Sequence, residues 1–198
     1  MPRKIHDLPA LLGSRICHDL ISPLGAIGNG LELLSMTAGS SAEMSLIAES
    51  VANANAKVRF YRVAYGAAST EQTIGRSEIV SILEDLTRGS RLTVVWNPSQ
   101  PVTRTEVKLA FLMIQCFETA MPYGGEVIVS KTDTIWRIHG MATKLKINTE
   151  LWDYLTSGGD DVEITPAQVQ FALVPLALRE SDRHLTIQIR ETDLLASY

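Results

Sequence analysis

The sequence predicts an α+β fold: an N-terminal antiparallel helical hairpin followed by an α/β sandwich. Three observations carry this. Apolar residues recur at spacings of three and four from Leu12 to Leu34; a similar run follows a small polar turn; beyond it, helical stretches alternate with short β-rich ones. At 198 residues and 45% hydrophobic content, the chain has room for one domain or two small ones around a folded core.

Asp7 is read as the N-cap of the first helix, with Pro9 in the first turn, where its missing N–H costs little. Leu12, Ile16, Leu20, Leu24, Ile27, Leu31 and Leu34 then form one apolar stripe, and Thr37-Ala38-Gly39-Ser40 ends the helix. Ser40-x-x-Glu43 has the capping-box pattern and opens a second helix. That helix carries Met44, Ile47, Val51, Ala54, Val58, Tyr61 and Tyr65 toward one side and ends near Gly66. A lone hairpin cannot bury both stripes well, so two copies are expected to pair as a homodimer with a four-helix bundle.

Ser69 to Arg76 is polar and unpatterned and is taken as a linker between residues 1–70 and 71–198. Ser77 to Arg88 reads as a helix, Arg91 to Asn97 as a strand, and Thr103-x-x-Glu106 caps a helix running to about Met121. Gly124-Gly125 leads into a strand from Glu126 to Lys131, Thr132-Asp133 turns, and Thr134 to His139 pairs back. Helices are expected over Asn148 to Thr156 and Pro166 to Leu178, the second broken or bent by Pro175, with Arg183 to Glu191 as the final strand.

The net charge of −4, with no basic cluster, argues against nucleic acid as a partner. Cys17 and Cys116 lie far apart with no CxxC spacing, which points away from disulfides and zinc and toward a reducing compartment. Arg3 and Lys4 precede an apolar stretch from Leu8 to Leu12, but Arg15, His18 and Asp19 interrupt it too early for a signal peptide. No uncharged run is long enough to span a membrane, so a soluble cytoplasmic protein with no membrane partner is expected.

The chemistry concentrates at His18. With about 100° per helical residue, Leu11, Ser14, Arg15, Ser22, Gly25 and Asn29 share its face, which is mostly polar or small. Gly25 and Gly28 would keep the neighbourhood open to another protein's surface. A neutral imidazole is a good nucleophile near physiological pH and forms a phosphoramidate reactive enough to pass its phosphoryl group on. Asp19 can accept a hydrogen bond from one ring nitrogen, which fixes the tautomer so that the other attacks. Ser22 could bond a phosphoryl oxygen or a water, and Arg15, the only nearby cation, could stabilise transferred charge or pair with an acidic partner. Pro23 removes the helical hydrogen bond to the carbonyl of Asp19. A His-Asp pair on a helix is, by itself, more often a solvated surface pair than a site. Cys17 points about 100° away from His18 and reads as packed beside the seam. His6, His139 and His184 have no partner at metal-ligand spacing.

The run His18-Asp19-Leu20-Ile21-Ser22-Pro23-Leu24 resembles the H-box of sensor histidine kinases: His, an acid, Leu, a variable residue, Ser or Thr, Pro. Ser14 through Pro23, with Asn29-Gly30-Leu31-Glu32 and the run from Phe60 to Ser69, resembles the ChpT-type histidine phosphotransferases of alphaproteobacteria. The resemblance implies a dimeric kinase-like hairpin followed by a domain shaped like a kinase ATP-binding domain that no longer binds ATP. The residues agree with that loss. Leu112 to Ala120, in the place of the kinase asparagine box, contains no asparagine, and no Asp-x-Gly-x-Gly motif is present. Gly158-Gly159-Asp160-Asp161 reads as a surface turn.

The resemblance further implies that a receiver aspartate of a hybrid histidine kinase donates a phosphoryl group to His18, which hands it to a response-regulator aspartate. Asp19 and Ser22 would assist; Arg15, Ser14, Gly25, Asn29 and Leu11 would meet the partner. Catalysis would be positioning and charge neutralisation, with no cofactor or metal on this chain and Mg2+ held in the partner receiver's acidic pocket. Gly28 departs from the family pattern, where a polar residue is common. The alternatives are a receiver-binding adaptor without chemistry and a small ATP-using kinase, the latter disfavoured by the missing nucleotide motifs.

Overall fold

The computed structural model describes residues 8–36, 41–66, 68, 71–158 and 162–198; within the first two helices the side chains at 8–15, 17, 18, 21, 35, 36 and 41 are outside that description. The Asp7 cap, the turn at 37–40 with its Ser40 cap, His6 and residues 159–161 therefore lie outside the described residues. Helices α1 (Leu8–Met36) and α2 (Ser41–Ala64) form the expected hairpin. Then come β1 (Thr73–Ile74), α3 (Arg76–Thr87), β2 (Leu92–Trp96), β3 (Val102–Thr103), α4 (Arg104–Ala120), β4 (Gly125–Thr132) and β5 (Ile135–Met141). The chain ends with α5 (Thr149–Ser157), a 3-10 turn (Pro166–Gln168), α6 (Val169–Glu180), β6 (Thr186–Ile189) and β7 (Asp193–Ser197).

Five strands make one sheet in the order β2-β4-β5-β7-β6, parallel only between β2 and β4. The parallel pair needs a crossover, which α4 supplies; the hairpin-linked strands need only turns. Alternation along the strands sends Val127, Val129, Trp136, Ile138, Leu194 and Ala196 inward, where they are fully buried. The opposing layer is dominated by α4, buried from Leu109 to Phe117 without interruption. Its start obeys the predicted capping box: Thr103 Oγ1 accepts from Glu106 N–H, and Glu106 Oε2 accepts from Thr103 N–H. Gly124 adopts φ +94°, and a Cβ there would lie 2.4 Å from the Arg91 carbonyl oxygen, so the turn into β4 requires glycine.

Three readings of the sequence need correction. The segment taken as a linker holds β1, paired antiparallel with β3, and α3 already begins at Arg76. Two-residue strands carry no periodicity to read. The strand expected over 183–191 spans only Thr186–Ile189 and is not the last, since β7 follows and inserts between β5 and β6. Arg183 is drawn off the strand to bond the Thr134 carbonyl and Glu106. Of the break or bend expected at Pro175, the break does not occur: α6 runs through it, with Phe171, Val174, Pro175 and Leu178 buried in the core.

The hairpin seam also differs from the expected stripes. Leu24 and Leu31 are 59% and 57% exposed, as are Met44 at 57% and Val58 at 49%. Pro23 and Gly30 are buried on α1 instead, and Ala56, Phe60, Val63 and Ala64 on α2. Those four residues lie on the outside of this single hairpin, while Ile16, Leu20, Ile27, Leu34 and Ile47 are half-buried and Tyr61 is buried.

Candidate functional site

The candidate site lies in the first half of α1, alongside the second half of α2. Antiparallel pairing sets the register. Where the helices close, a Cβ on Gly30 would sit 2.5 Å from Ile47 Cγ1, so only glycine admits this approach without displacing Ile47. The same register brings residue 19 beside Lys57 and Tyr61. His18 belongs to α1; its side chain, with those of Leu11, Ser14, Arg15 and Cys17, is outside the described residues.

Ser22, Gly25 and Asn29, expected on the His18 face, are exposed, and nothing lies within 4 Å of a Cβ built on Gly25 or Gly28. This part of the helix is open to a partner. Asp19 is half-buried and engaged by α2: the Tyr61 hydroxyl donates to Asp19 Oδ2. Lys57 Nζ donates to the main-chain carbonyl of Asp19 at 3.1 Å. That carbonyl is the one Pro23 leaves without its helical donor, since proline has no N–H to offer residue i−4. A cation from the second helix thus fills an acceptor freed by a proline in the first.

Lys57 is a cation that α2 brings to the residue next to His18 and that the reading along α1 did not include. Lys57 lies 38 residues from Asp19 in sequence, so spacing along one helix could not reveal it. The clue was the hairpin itself: counting back from the turn on both helices sets residue 19 opposite the late fifties. Lys57, Ser22, Pro23, Asn53, Ala56 and Leu86 line a groove of about 300 Å³ beside this turn.

The lower half of α2 is fastened to the sandwich. Phe60 stacks on Phe111 of α4 with centroids 4.6 Å apart. Tyr61 stacks on Tyr65 at 5.1 Å, and the Tyr65 hydroxyl donates to Gln115 Oε1 at 2.8 Å. Arg104 and Lys108 donate to the carbonyls of Arg62 and Gly66, closing the end of α2 with the positive charge that a helix C-terminus favours. On the other side, α1 packs against the 3-10 turn and α6.

Cys116 is fully buried, and burial pushes its thiol well above the ordinary value, which removes it as a nucleophile. His139 pairs with Asp193 across neighbouring strands at 3.5 Å, and His184 is exposed. Gly158 caps α5 in the left-handed conformation, while residues 159–161 are outside the described residues. Among the described residues no group of three or more His, Cys, Asp or Glu is placed to hold a metal ion, and no helix is long and apolar enough to cross a membrane.

Comparison with known proteins agrees with this architecture. Residues 76–193 match the family described as the histidine phosphotransferase C-terminal domain. Over 197 residues, 96% of this chain and 94% of the relative, the chain is 32% identical to the protein phosphotransferase ChpT of Brucella abortus (strain 2308). A solved structure described as that of a bacterial phosphotransferase aligns with a TM-score of 0.82, at 30% identity, over 100% of this chain and 98% of that one. The likeness spans hairpin and sandwich together.

Proposed function

The chain belongs to the histidine phosphotransferase family, and from that premise we propose that His18 is the residue that carries the phosphoryl group. The donor is a receiver-domain aspartate of a hybrid histidine kinase; the acceptor is a response-regulator aspartate. One observation carries the reading: the His18 turn leaves Ser22, Gly25 and Asn29 open to solvent in a chain that follows a protein phosphotransferase along nearly its whole length.

In the first half-reaction an imidazole nitrogen attacks phosphorus as the P–O bond to the donor aspartate breaks, and that aspartate leaves as a carboxylate. The other ring nitrogen keeps its proton, which Asp19 accepts as a hydrogen bond, stabilising the charge that develops on the ring. In the second half-reaction an acceptor carboxylate oxygen attacks phosphorus and the N–P bond breaks, returning neutral His18. Ser22 donates to a phosphoryl oxygen. Arg15, Ser14, Gly25, Asn29 and Leu11 make the docking face. The receiver's acidic pocket supplies Mg2+, so this chain binds no cofactor of its own.

Residues 1–70 are read as the dimerisation and phosphotransfer unit, and residues 71–198 as a degenerate ATP-binding-like domain. The outward-facing Leu24, Leu31, Met44, Val51 and Val58 support a homodimer through a four-helix bundle, with the protein acting in the cytoplasm. The test is transfer from a phosphorylated receiver domain, without ATP, to wild type and to His18→Gln. Acid-labile, base-stable label on wild type alone is expected. Binding without label across several receivers would favour the adaptor instead.

A further inference from the structure

We propose that Lys57 and Tyr61 of α2 are positioning residues for phosphotransfer: they hold the α1 turn that carries His18, Lys57 through the carbonyl freed by Pro23 and Tyr61 through the Asp19 carboxylate. The inference rests on His18 being the phosphoacceptor.

A proline inside a helix deletes one backbone hydrogen bond and crowds the preceding turn, and helices kink where the ladder is interrupted. Here the interruption falls between Asp19 and Pro23, so it bears directly on the turn that orients His18 and Ser22. A half-buried carbonyl without a donor is destabilising, whereas a bond from an ammonium group is charge-assisted and among the stronger kind. Lys57 supplies that bond.

Tyr61 follows Lys57 by four residues, so both project from one face of α2 onto one residue of α1. The grip continues outward, from Tyr61 to Tyr65 by ring stacking and from Tyr65 to the buried Gln115 of α4 by hydrogen bond. The sandwich therefore holds the His18 turn through α2. Neither side chain touches the phosphoryl group in this reading; each acts through Asp19. Their loss should lower the maximal transfer rate and leave receiver affinity alone.

The proline gives the experiment its control. Pro23→Ala restores an N–H to the Asp19 carbonyl and should make Lys57 dispensable there. Transfer from a phosphorylated receiver is measured at saturating and sub-saturating receiver for wild type, His18→Gln, Lys57→Met, Lys57→Arg, Tyr61→Phe, Pro23→Ala and the double variant Pro23→Ala/Lys57→Met. Misplacing a reacting group by about 1 Å can cost up to 100-fold, so Lys57→Met is expected to slow maximal transfer by about 10-fold, with half-saturation changed less than about two-fold. Lys57→Arg should keep most of the rate. In the Pro23→Ala background, Lys57→Met should cost less than about two-fold, since the restored N–H replaces its bond.

If Lys57→Met unfolds at the assay temperature, Tyr61→Phe carries the test. It should slow transfer and shift the His18 ring nitrogen resonances in the absence of any receiver. An unlabelled wild type overturns the phosphoacceptor reading and this inference with it. Normal wild-type labelling overturns the inference alone if Lys57→Met transfers at the wild-type rate or loses as much in the Pro23→Ala background, or if Tyr61→Phe leaves rate and resonances unchanged.

Discussion

Glu106 concentrates the polar bonding of the sandwich on one carboxylate. It accepts hydrogen bonds from Thr103, Lys131, Trp136 and Arg183, which belong to separate parts of the chain. Burial by itself would raise its carboxyl, but the bonds from Lys131, Trp136 and Thr103 outweigh burial and hold it below the ordinary 4.5. A carboxyl lowered on folding adds stability that is present above its unfolded value and is lost as pH falls through its folded value. Acidification should therefore lower the urea midpoint of the wild type within that window. Glu106→Gln should cost about 1.5–3 kcal/mol at neutral pH, the worth of hydrogen bonds to a charged group, and should flatten the acid limb. An unchanged acid limb in the variant would remove Glu106 as its source. At this scale the sequence showed half of what matters. Thr103-x-x-Glu106 announced itself as a capping box, but Lys131, Trp136 and Arg183 converge on Glu106 only through tertiary structure. The His18 turn is similar: His18, Asp19, Ser22 and Pro23 are adjacent and legible, while Lys57 and Tyr61 arrive from another helix.

Of the four glycines in α1, Gly25, Gly28 and Gly30 make the helix a test of its own faces. A Cβ on Gly25 or Gly28 meets nothing within 4 Å, so alanine at either should stabilise the helix by about 0.5–1 kcal/mol through propensity alone. Gly30 is the opposite case, because its Cβ would collide with Ile47 of the facing helix. There, overpacking of about 1–3 kcal/mol should outweigh the propensity gain, and Gly30→Ala should lower the thermal midpoint. Gly25→Ala and Gly28→Ala should raise it. Receiver affinity separates the two stabilising variants: Gly25 lies on the His18 face and its methyl should weaken docking, whereas Gly28→Ala should leave docking near wild type. Equal effects on docking would show that the face is drawn wrongly. The helices were readable because long 3.6-residue periodicity survives local noise. The strands β1 and β3 were too short to show a pattern, and β7 hid its alternation because Leu195, on the outer face, is as apolar as the inward Leu194.

The whole molecule is governed by a mismatch between what one hairpin buries and what it exposes. Toward the sandwich, Phe60, Val63 and Ala64 are completely covered, so the hairpin is fastened at its lower end without help from a second chain. Along its outer side, Leu24 and Leu31 on α1 stand seven residues apart, as do Met44, Val51 and Val58 on α2, and all five are exposed. A spacing of seven keeps large apolar groups on one seam of a helix, the arrangement that packs against another helix pair. Exposed singly such residues are ordinary; aligned along two neighbouring helices they form a patch that water does not favour. A second copy would supply the same stripe by symmetry and cover both at once. The wild type should therefore elute with twice the mass of one chain by light scattering, and its thermal midpoint should rise with protein concentration. The double variant Leu24→Glu/Leu31→Glu should elute as one chain, with a midpoint independent of concentration. It should keep its circular dichroism, because Phe60, Val63 and Ala64 still anchor the hairpin to the sandwich. A wild type of single-chain mass with the same midpoint at every concentration would assign the stripe to a different protein.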